Sequence, residues 1–326
     1  MTDTRESGGG PERVERVLSN METYLGYVPG FRRAHARGVS FRGRFEATPD
    51  ARALTTAEHL QGGEIPVIVR FSNGAGSPYF PDRTSASKGT ALGLAVRFEL
   101  PSGGHGDVVG LSITTFPARR PDDFIGLASA QRRGLPTGLP NPIRLALFLA
   151  IHPQCVRGVI KVFKAVTAES FATQAYHGLH AFWAIDAAGA RHAFRYHWVP
   201  ETEVVPMSAQ DDKLWPPQYL MSEIEQRVAR GPVAWELVFE LAEPGDPTND
   251  LTRSWPEDRR RVTVGRMVVD RIHEDPETAD QIMYDPTDVP AGIEASDDPV
   301  LRFRSEVYVE SKRRRAGEAK PEITPR

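Results

Sequence analysis

Arg304 and Tyr308 stand four residues apart near the end of this 326-residue chain, in Leu301-Arg302-Phe303-Arg304-Ser305-Glu306-Val307-Tyr308. The spacing predicts that, on a helix, both side chains share one face. A guanidinium beside a phenol favours the phenolate, because an opposite charge stabilises the ionised form. A phenolate is a hard anionic oxygen donor and suits ferric iron. Far away in sequence, His35 precedes a stretch with strand periodicity. A neutral imidazole at such a turn can serve as an acid–base group. Taken singly, the first pair also reads as a surface helix with a basic end, Lys312 to Arg315, and His35 as an exposed or structural histidine.

Other constellations carry less chemistry. Asp211-Asp212 and Asp297-Asp298 are carboxylate pairs in polar, loop-like segments, and they read as solvated turns rather than metal sites. His177, His180, His192 and His197 crowd into one hairpin-like stretch. His192 and His197 fall on opposite faces by parity, which argues against a shared metal. Nothing matches a phosphate-binding loop or a dinucleotide fingerprint.

Composition narrows the classes further. Lys and Arg number 40 and Asp and Glu 43, so a net charge of -3 gives no electrostatic case for a nucleic-acid partner. One cysteine, Cys155, excludes an internal disulfide and a cysteine-only metal cage. The longest apolar run, Ile143 to Ile151, is broken by Arg144 and stopped by Pro153, too short for a membrane span. Met1 to Pro11 is polar and glycine-rich and lacks the apolar core of a secretory signal, so a cytoplasmic protein is expected.

The elements that must position these residues are mostly strands. Val39, Phe41, Gly43, Phe45 and Ala47 alternate with polar residues, the period of a half-buried strand. The same period recurs at Val67 to Phe71, Leu92 to Phe98, Val109 to Ile113, Leu179 to Ile185, His192 to Trp198, Val233 to Leu241 and Val262 to Ile272. About eight strands is the number a closed barrel needs. Asp186 to Ala190 reads as a turn joining two of them in a hairpin. Helical patterns are expected at Glu12 to Leu25, Ile143 to Ala150, Val156 to Val166 and Gln218 to Arg230, the last stopped by Gly231-Pro232. We expect an arm over 1–25, flexible to about Leu18 or helical, a main domain over 26–316, and a loose tail over 317–326.

A series of short motifs runs through the chain in order: Arg32-x-x-His35-Ala36-Arg37-Gly38, Gly43-x-Phe45-Glu46, Val69-Arg70-Phe71-Ser72, Gly93-Leu94-Ala95-Val96-Arg97-Phe98, Asp107-Val108-Val109-Gly110 and Arg304-x-x-x-Tyr308. Their order and spacing resemble the haem catalase family, and most of all its small catalase-related peroxidases. Gly245-Asp246-Pro247-Thr248-Asn249-Asp250 and Gly292 to Pro299 are similar to the small members too. The resemblance implies an α+β fold, an antiparallel eight-stranded barrel with surrounding helices, and one haem b between barrel and helices.

Carried over residue by residue, it implies that His35 is the distal base that moves a proton between the two oxygens of a bound peroxide, with Ser72 bonded to its imidazole. Tyr308 would be the proximal tyrosinate that ligates the iron, an assignment the general rule for catalases supports, and Arg304 would keep it ionised. Arg32, Arg70 and Arg315 would pair with the haem propionates, and Phe124 would stack near the haem's distal edge. Arg70 also reads as a strand-edge charge and Phe124 as a core residue.

One departure shapes the functional expectation. Catalases carry a distal asparagine shortly after the Asp-x-Val-Gly turn, and Leu111-Ser112-Ile113-Thr114-Thr115 has none. Ser112 stands at that position by ungapped alignment, with Thr114 the next polar candidate. A hydroxyl is shorter and differently aimed than a carboxamide. The expected protein is a haem peroxidase that reduces hydrogen peroxide or an organic hydroperoxide with an organic reductant, with weak or absent catalase activity, in a homo-oligomer. Two alternatives are a fatty-acid hydroperoxide isomerase or lyase, and a barrel that binds haem or lipid without turnover.

Overall fold

The alternating segments close into a barrel. In this computed structural model, which describes residues 10–82, 91–130, 142–164, 168–205 and 215–321, the strands are β1 (Gly38–Ala47), β2 (Glu64–Asn73), β3 (Leu92–Glu99), β4 (His105–Leu111), β5 (Tyr176–His177), β6 (Phe182–Ile185), β7 (Arg191–Pro200), β8 (Val233–Leu241), β9 (Arg261–Ile272) and β10 (Ile293–Ala295). The pairing runs β7-β5-β4-β3-β2-β1-β9-β8, and a β7–β8 ladder closes the ring of eight antiparallel strands. β6 and β10 extend the sheet beside the first half of β7. Closure leaves no free edge in the barrel, which is how antiparallel sheets avoid edge-to-edge association.

Alternation decides what fills the interior. Phe41 and Phe45 on β1, Phe71 on β2, Leu94, Val96 and Phe98 on β3, Trp198 on β7 and Trp235 on β8 are buried in one core. Phe45 meets Phe98 edge-on, with centroids 5.0 Å apart. Such large rings fill a small barrel with side chains, and truncating one to alanine costs about 3–5 kcal/mol.

The helices are α1 (Pro11–Leu25), α2 (Pro121–Ala130), α3 (Pro142–Ile151), α4 (Pro153–Lys164), α5 (Tyr219–Arg230), α6 (Pro276–Gln281) and α7 (Pro299–Ala316). α7 starts where chemistry dictates. Asp298 accepts a hydrogen bond from the Val300 amide at 2.8 Å, and Pro299 sits at the first helical position. Val14, Val17, Leu18 and Met21 of α1 pack with Phe303 and Val307 of α7, and Phe124 and Ile125 of α2 lie against them.

Several expectations change. The segment from Pro11 to Leu18 is not a flexible start, because its apolar stripe is buried against α7. Residues 317–320 are not loose. Glu318 bonds Arg33, Tyr27 and the Gly30 amide, and Lys320 bonds Asp280 at 2.6 Å. β4 ends at Leu111 rather than Ile113. The strand expected over 179–185 is interrupted between β5 and β6, at 178–181. Asp298 is no solvated turn residue but is fully buried. Asp211, Asp212 and residues 322–326 lie outside the described residues.

Candidate active site

The loop before β1 carries Arg32 and His35. His35 has φ +53°, a left-handed conformation that costs a side chain about 1–3 kcal/mol and marks functional positions when the surroundings hold it. The surroundings here are two backbone bonds, His35 amide to Gly74 at 3.4 Å and Ala36 amide to Ala75 at 3.0 Å. The imidazole Nδ1 lies 2.9 Å from Ser72 Oγ, and Ser72 is buried on β2. Ser72 Oγ also reaches the Gly93 carbonyl at 3.5 Å, which it can meet only as donor. The hydroxyl then accepts from Nδ1–H, and Nε2 keeps its lone pair. Burial, then the charges of Arg70, Arg304 and Arg32, push the His35 pKa down to about 3, so the ring is neutral near pH 7.

Cross-strand register defines the face on which His35 sits. Ser72 pairs with Gly93 and Gly93 with Leu111. A Cβ at Gly93 would lie 2.7 Å from the His35 ring and 2.8 Å from Ser72 Oγ, so no larger residue fits between barrel and imidazole. Directly paired residues share a face, so Leu111 lies on the His35 side. Ser112 instead pairs with Leu92, whose side chain is in the barrel core. Its hydroxyl accepts from the Leu92 amide at 2.9 Å. Ser112 is the first residue past β4, and its hydroxyl is engaged with the Leu92 amide rather than with His35. Thr114 is exposed, and its hydroxyl lies 3.3 Å from Lys161 Nζ. Phe124, on α2, is half-buried with its ring 5.6 Å from that of Phe116.

α7 presents Arg304 and Tyr308 as their spacing requires, with Arg304 close enough to His35 to act on it by its charge. Arg304 donates to Tyr308 Oη from Nη2 at 2.6 Å and from Nε at 3.2 Å. Two N–H donors aimed at a phenol oxygen favour negative charge on it. The other side of Arg304 holds residues that sequence reasoning missed. Its Nη1 donates to His180 Nε2 at 2.9 Å, and His180 Nδ1 donates to Asp298 Oδ2 at 2.9 Å. Only the tautomer with the proton on Nδ1 satisfies both bonds. Burial lowers the His180 pKa while Asp298 opposes the shift. The break between β5 and β6 lets His180 leave the sheet and reach α7.

Arg32, Arg70 and Arg315 gather at one end. Arg32 is held by the Asp280 carboxylate and the carbonyls of Asp280 and Ile282. Burial first, then Arg32, pushes the Arg70 pKa down to about 9 and that of Arg315 to about 10. Among the described residues neither Arg70 nor Arg315 forms an ion pair. Arg315 Nε and Tyr284 Oη, which feels the charges of Arg70 and Arg32, are buried without hydrogen-bond partners. Buried cations short of anions call for an anionic ligand. With Gly93 and the half-buried Ala95 forming a low floor on the outer face of β3, these residues fit a flat group carrying carboxylates, such as a haem.

His192 bonds Asp186 and His197 bonds His177, so the histidine-rich stretch forms two separate pairs. His105, Asp107 and Asp288 are close enough to share a metal ion, yet both Asp107 oxygens already receive Arg97 at 2.8 and 2.6 Å.

Residues 28–324 match the family model described as Catalase. A catalase-related peroxidase of Mycolicibacterium paratuberculosis is 39% identical over 295 residues, covering 90% of this chain and 91% of that protein. One of Synechococcus elongatus is 31% identical, with coverages of 90% and 86%. A fungal catalase structure superposes with a TM-score of 0.79 at 22% identity, over 90% of this chain and 60% of that one, a likeness of fold. This chain belongs to the catalase family.

Proposed function

We propose that the protein is a haem peroxidase that reduces hydrogen peroxide or organic hydroperoxides with an organic electron donor and releases little oxygen from hydrogen peroxide. Its relatives at 31–39% identity bear the name catalase-related peroxidase, which supports this chemistry over an isomerase, a lyase or a binding barrel. The observation that carries the reading is the meeting of two constellations. His35, bonded to Ser72, is close enough to Arg304 to feel its charge, and Arg304 donates twice to Tyr308.

In this reading Tyr308 would hold the iron of haem b, and Arg32, Arg70 and Arg315 would hold its carboxylates. Haem held there would supply a redox-active iron. His35 Nε2 takes the proton from one peroxide oxygen and returns it to the other, which makes that oxygen a good leaving group. Ser72 fixes the imidazole so that Nε2 keeps its lone pair. Arg304, steadied by His180 and Asp298, holds charge on the Tyr308 oxygen.

Leu111 supports the preference for an organic donor. Oxygen release requires a second hydrogen peroxide to be positioned and oxidised, and an aliphatic side chain offers it no hydrogen bond. An apolar distal wall suits an organic hydroperoxide instead. A cytoplasmic homo-oligomer is part of the same proposal.

The test uses one preparation. A Soret band with high-spin ferric features is expected, and peroxide-driven dye oxidation, followed by absorbance, should outpace oxygen release at an electrode. A protein that takes up no haem would overturn the site. Oxygen release as fast as dye oxidation would overturn the peroxidase preference.

A further inference from the structure

α3 and α4 form a helical pair whose outer face is apolar. Phe148 is buried, with Leu145 and Leu149 beside it, among Leu127 and Ala130 of α2 and Cys155 and Val159 of α4. That packing leaves Ile143, Leu147 and Ile151 outward, at a spacing of four that stacks them on one stripe. They are 68%, 64% and 75% exposed, and Ile160 of α4 is 48% exposed. Ala146 and Ala150 are exposed beside the stripe. A contiguous exposed aliphatic face of this kind marks an interaction surface.

Charge singles out the partner. Between Asp123 and Glu169 the sequence contains no acidic residue, while Arg132, Arg133, Arg144, Arg157, Lys161 and Lys164 are basic. In a chain of net charge -3 this is the cationic segment. Two-fold self-association through the patch would set like charges against each other. The exposed Arg144 and Arg157 of the two helices, with Lys161 of α4, give the aliphatic face cationic neighbours that match an anionic lipid surface. The ten residues of α3 span about 15 Å, half of what crossing a bilayer core needs. The pair can lie in the interface and not traverse it.

Position links the patch to the loop after β4. A Cβ at Gly158 of α4 would lie 2.5 Å from Pro117 Cα, so α4 is pressed onto the loop that follows β4. Lys161 reaches Thr114 at 3.3 Å and Ser254 at 3.1 Å. That loop begins just after Leu111.

We propose that the α3–α4 face docks the protein reversibly on anionic membranes, beside the loop that follows Leu111. The docking rests on this surface alone; that it would deliver hydroperoxides of membrane lipids follows only if the peroxidase reading also holds.

The experiment is flotation of the purified full-length protein with vesicles of phosphatidylcholine alone, or of equal parts phosphatidylcholine and phosphatidylglycerol. Flotation with the anionic vesicles is expected, with little on phosphatidylcholine alone and progressive release as salt rises. The double variant Leu147→Asp/Ile151→Asp should lower partitioning at least about tenfold, given what burying two aliphatic side chains contributes. Arg157→Glu should lower it without touching the aliphatic stripe. All three sites are exposed, so near-ultraviolet circular dichroism and the melting temperature should be unchanged. Absence of flotation with the anionic vesicles, or undiminished flotation of the double variant, would overturn the proposal. So would a dimer in solution that the double variant dissociates while neither protein floats, since the face would then belong to a second copy.

Discussion

Tyr308 and Arg304 meet across one turn of a single helix, whereas His35 meets Ser72 from a loop and a strand 37 residues apart. The two halves of the site are built differently. On the α7 side the geometry is local: α7 would present the same pair wherever it formed, and Asp298 both caps the helix and steadies His180 behind Arg304. On the His35 side the geometry is collective. The left-handed backbone at His35, the β2–β3 register that puts Ser72 beside Gly93, and the absence of a side chain at Gly93 must all hold together. If the proposed function holds, variants on the α7 side should change what is bound and variants at His35 what is done to the substrate.

The largest expected effect tests the α7 side. Tyr308→Phe removes the anionic oxygen, and the purified variant should lose most of its haem or show a displaced Soret band, as haem content and the absorption spectrum will tell. An unaltered ferric spectrum would break the assignment of ligation to α7. Next comes His35→Ala. Haem content should stay, while the rate of reaction with peroxide falls roughly a hundredfold to ten-thousandfold, the usual worth of a positioned acid–base group. Stopped-flow absorbance measures it, and loss of haem instead would blur the division between the sides.

Acid should act less steeply. Burial, the first cause in each case, pushes His35, His59 and His177 down to about 3, against roughly 6.5 in an unfolded chain. Between those values the unfolded state binds more protons, so stability is full above about pH 6.5 and declines as pH falls from there towards 3. Each histidine contributes up to about 1.4 kcal/mol per pH unit. Thermal melts from about pH 7 down to about pH 5 should show the decline, and His35→Ala should flatten it by one histidine's share. An unchanged slope in that variant would mean that His35 is not held neutral by the fold.

The smallest effect distinguishes two adjacent residues. Leu111→Asn should raise oxygen release relative to dye oxidation several-fold, on the order of one hydrogen bond in the cavity. Ser112→Asn should do less, since the Ser112 hydroxyl is tied to the Leu92 amide, and it should lower the melting temperature by disturbing that bond. A gain from Ser112→Asn alone would put Ser112, not Leu111, in the distal position.

How much of this was legible follows the same division. Period-two alternation gave the strands, because it is the pleat itself that places alternate residues on opposite faces. The Arg304–Tyr308 pair was legible from a spacing of four, since helix geometry alone brings such residues together. The order of short motifs suggested the family before any fold was described. His180 was not legible as a partner of Arg304, 124 residues away, because nothing local marks the point where the β5–β6 edge breaks. Asp298 read as solvated for the same reason: burial of a cap is decided by what packs over it.

Ser112 and Leu111 show where a sequence stops. A strand pattern can be written down from one segment, but the face that meets His35 depends on which residue of β3 each one pairs with. That register is settled by the whole barrel, as burial of Leu92, Leu94, Val96 and Phe98 on the inner face drives Gly93, and with it Leu111, outward. By itself the sequence determined the repeating local geometries and the residues able to do chemistry. Only the tertiary structure decided which of them face one another, because closing a barrel selects among registers that are equivalent for any single strand.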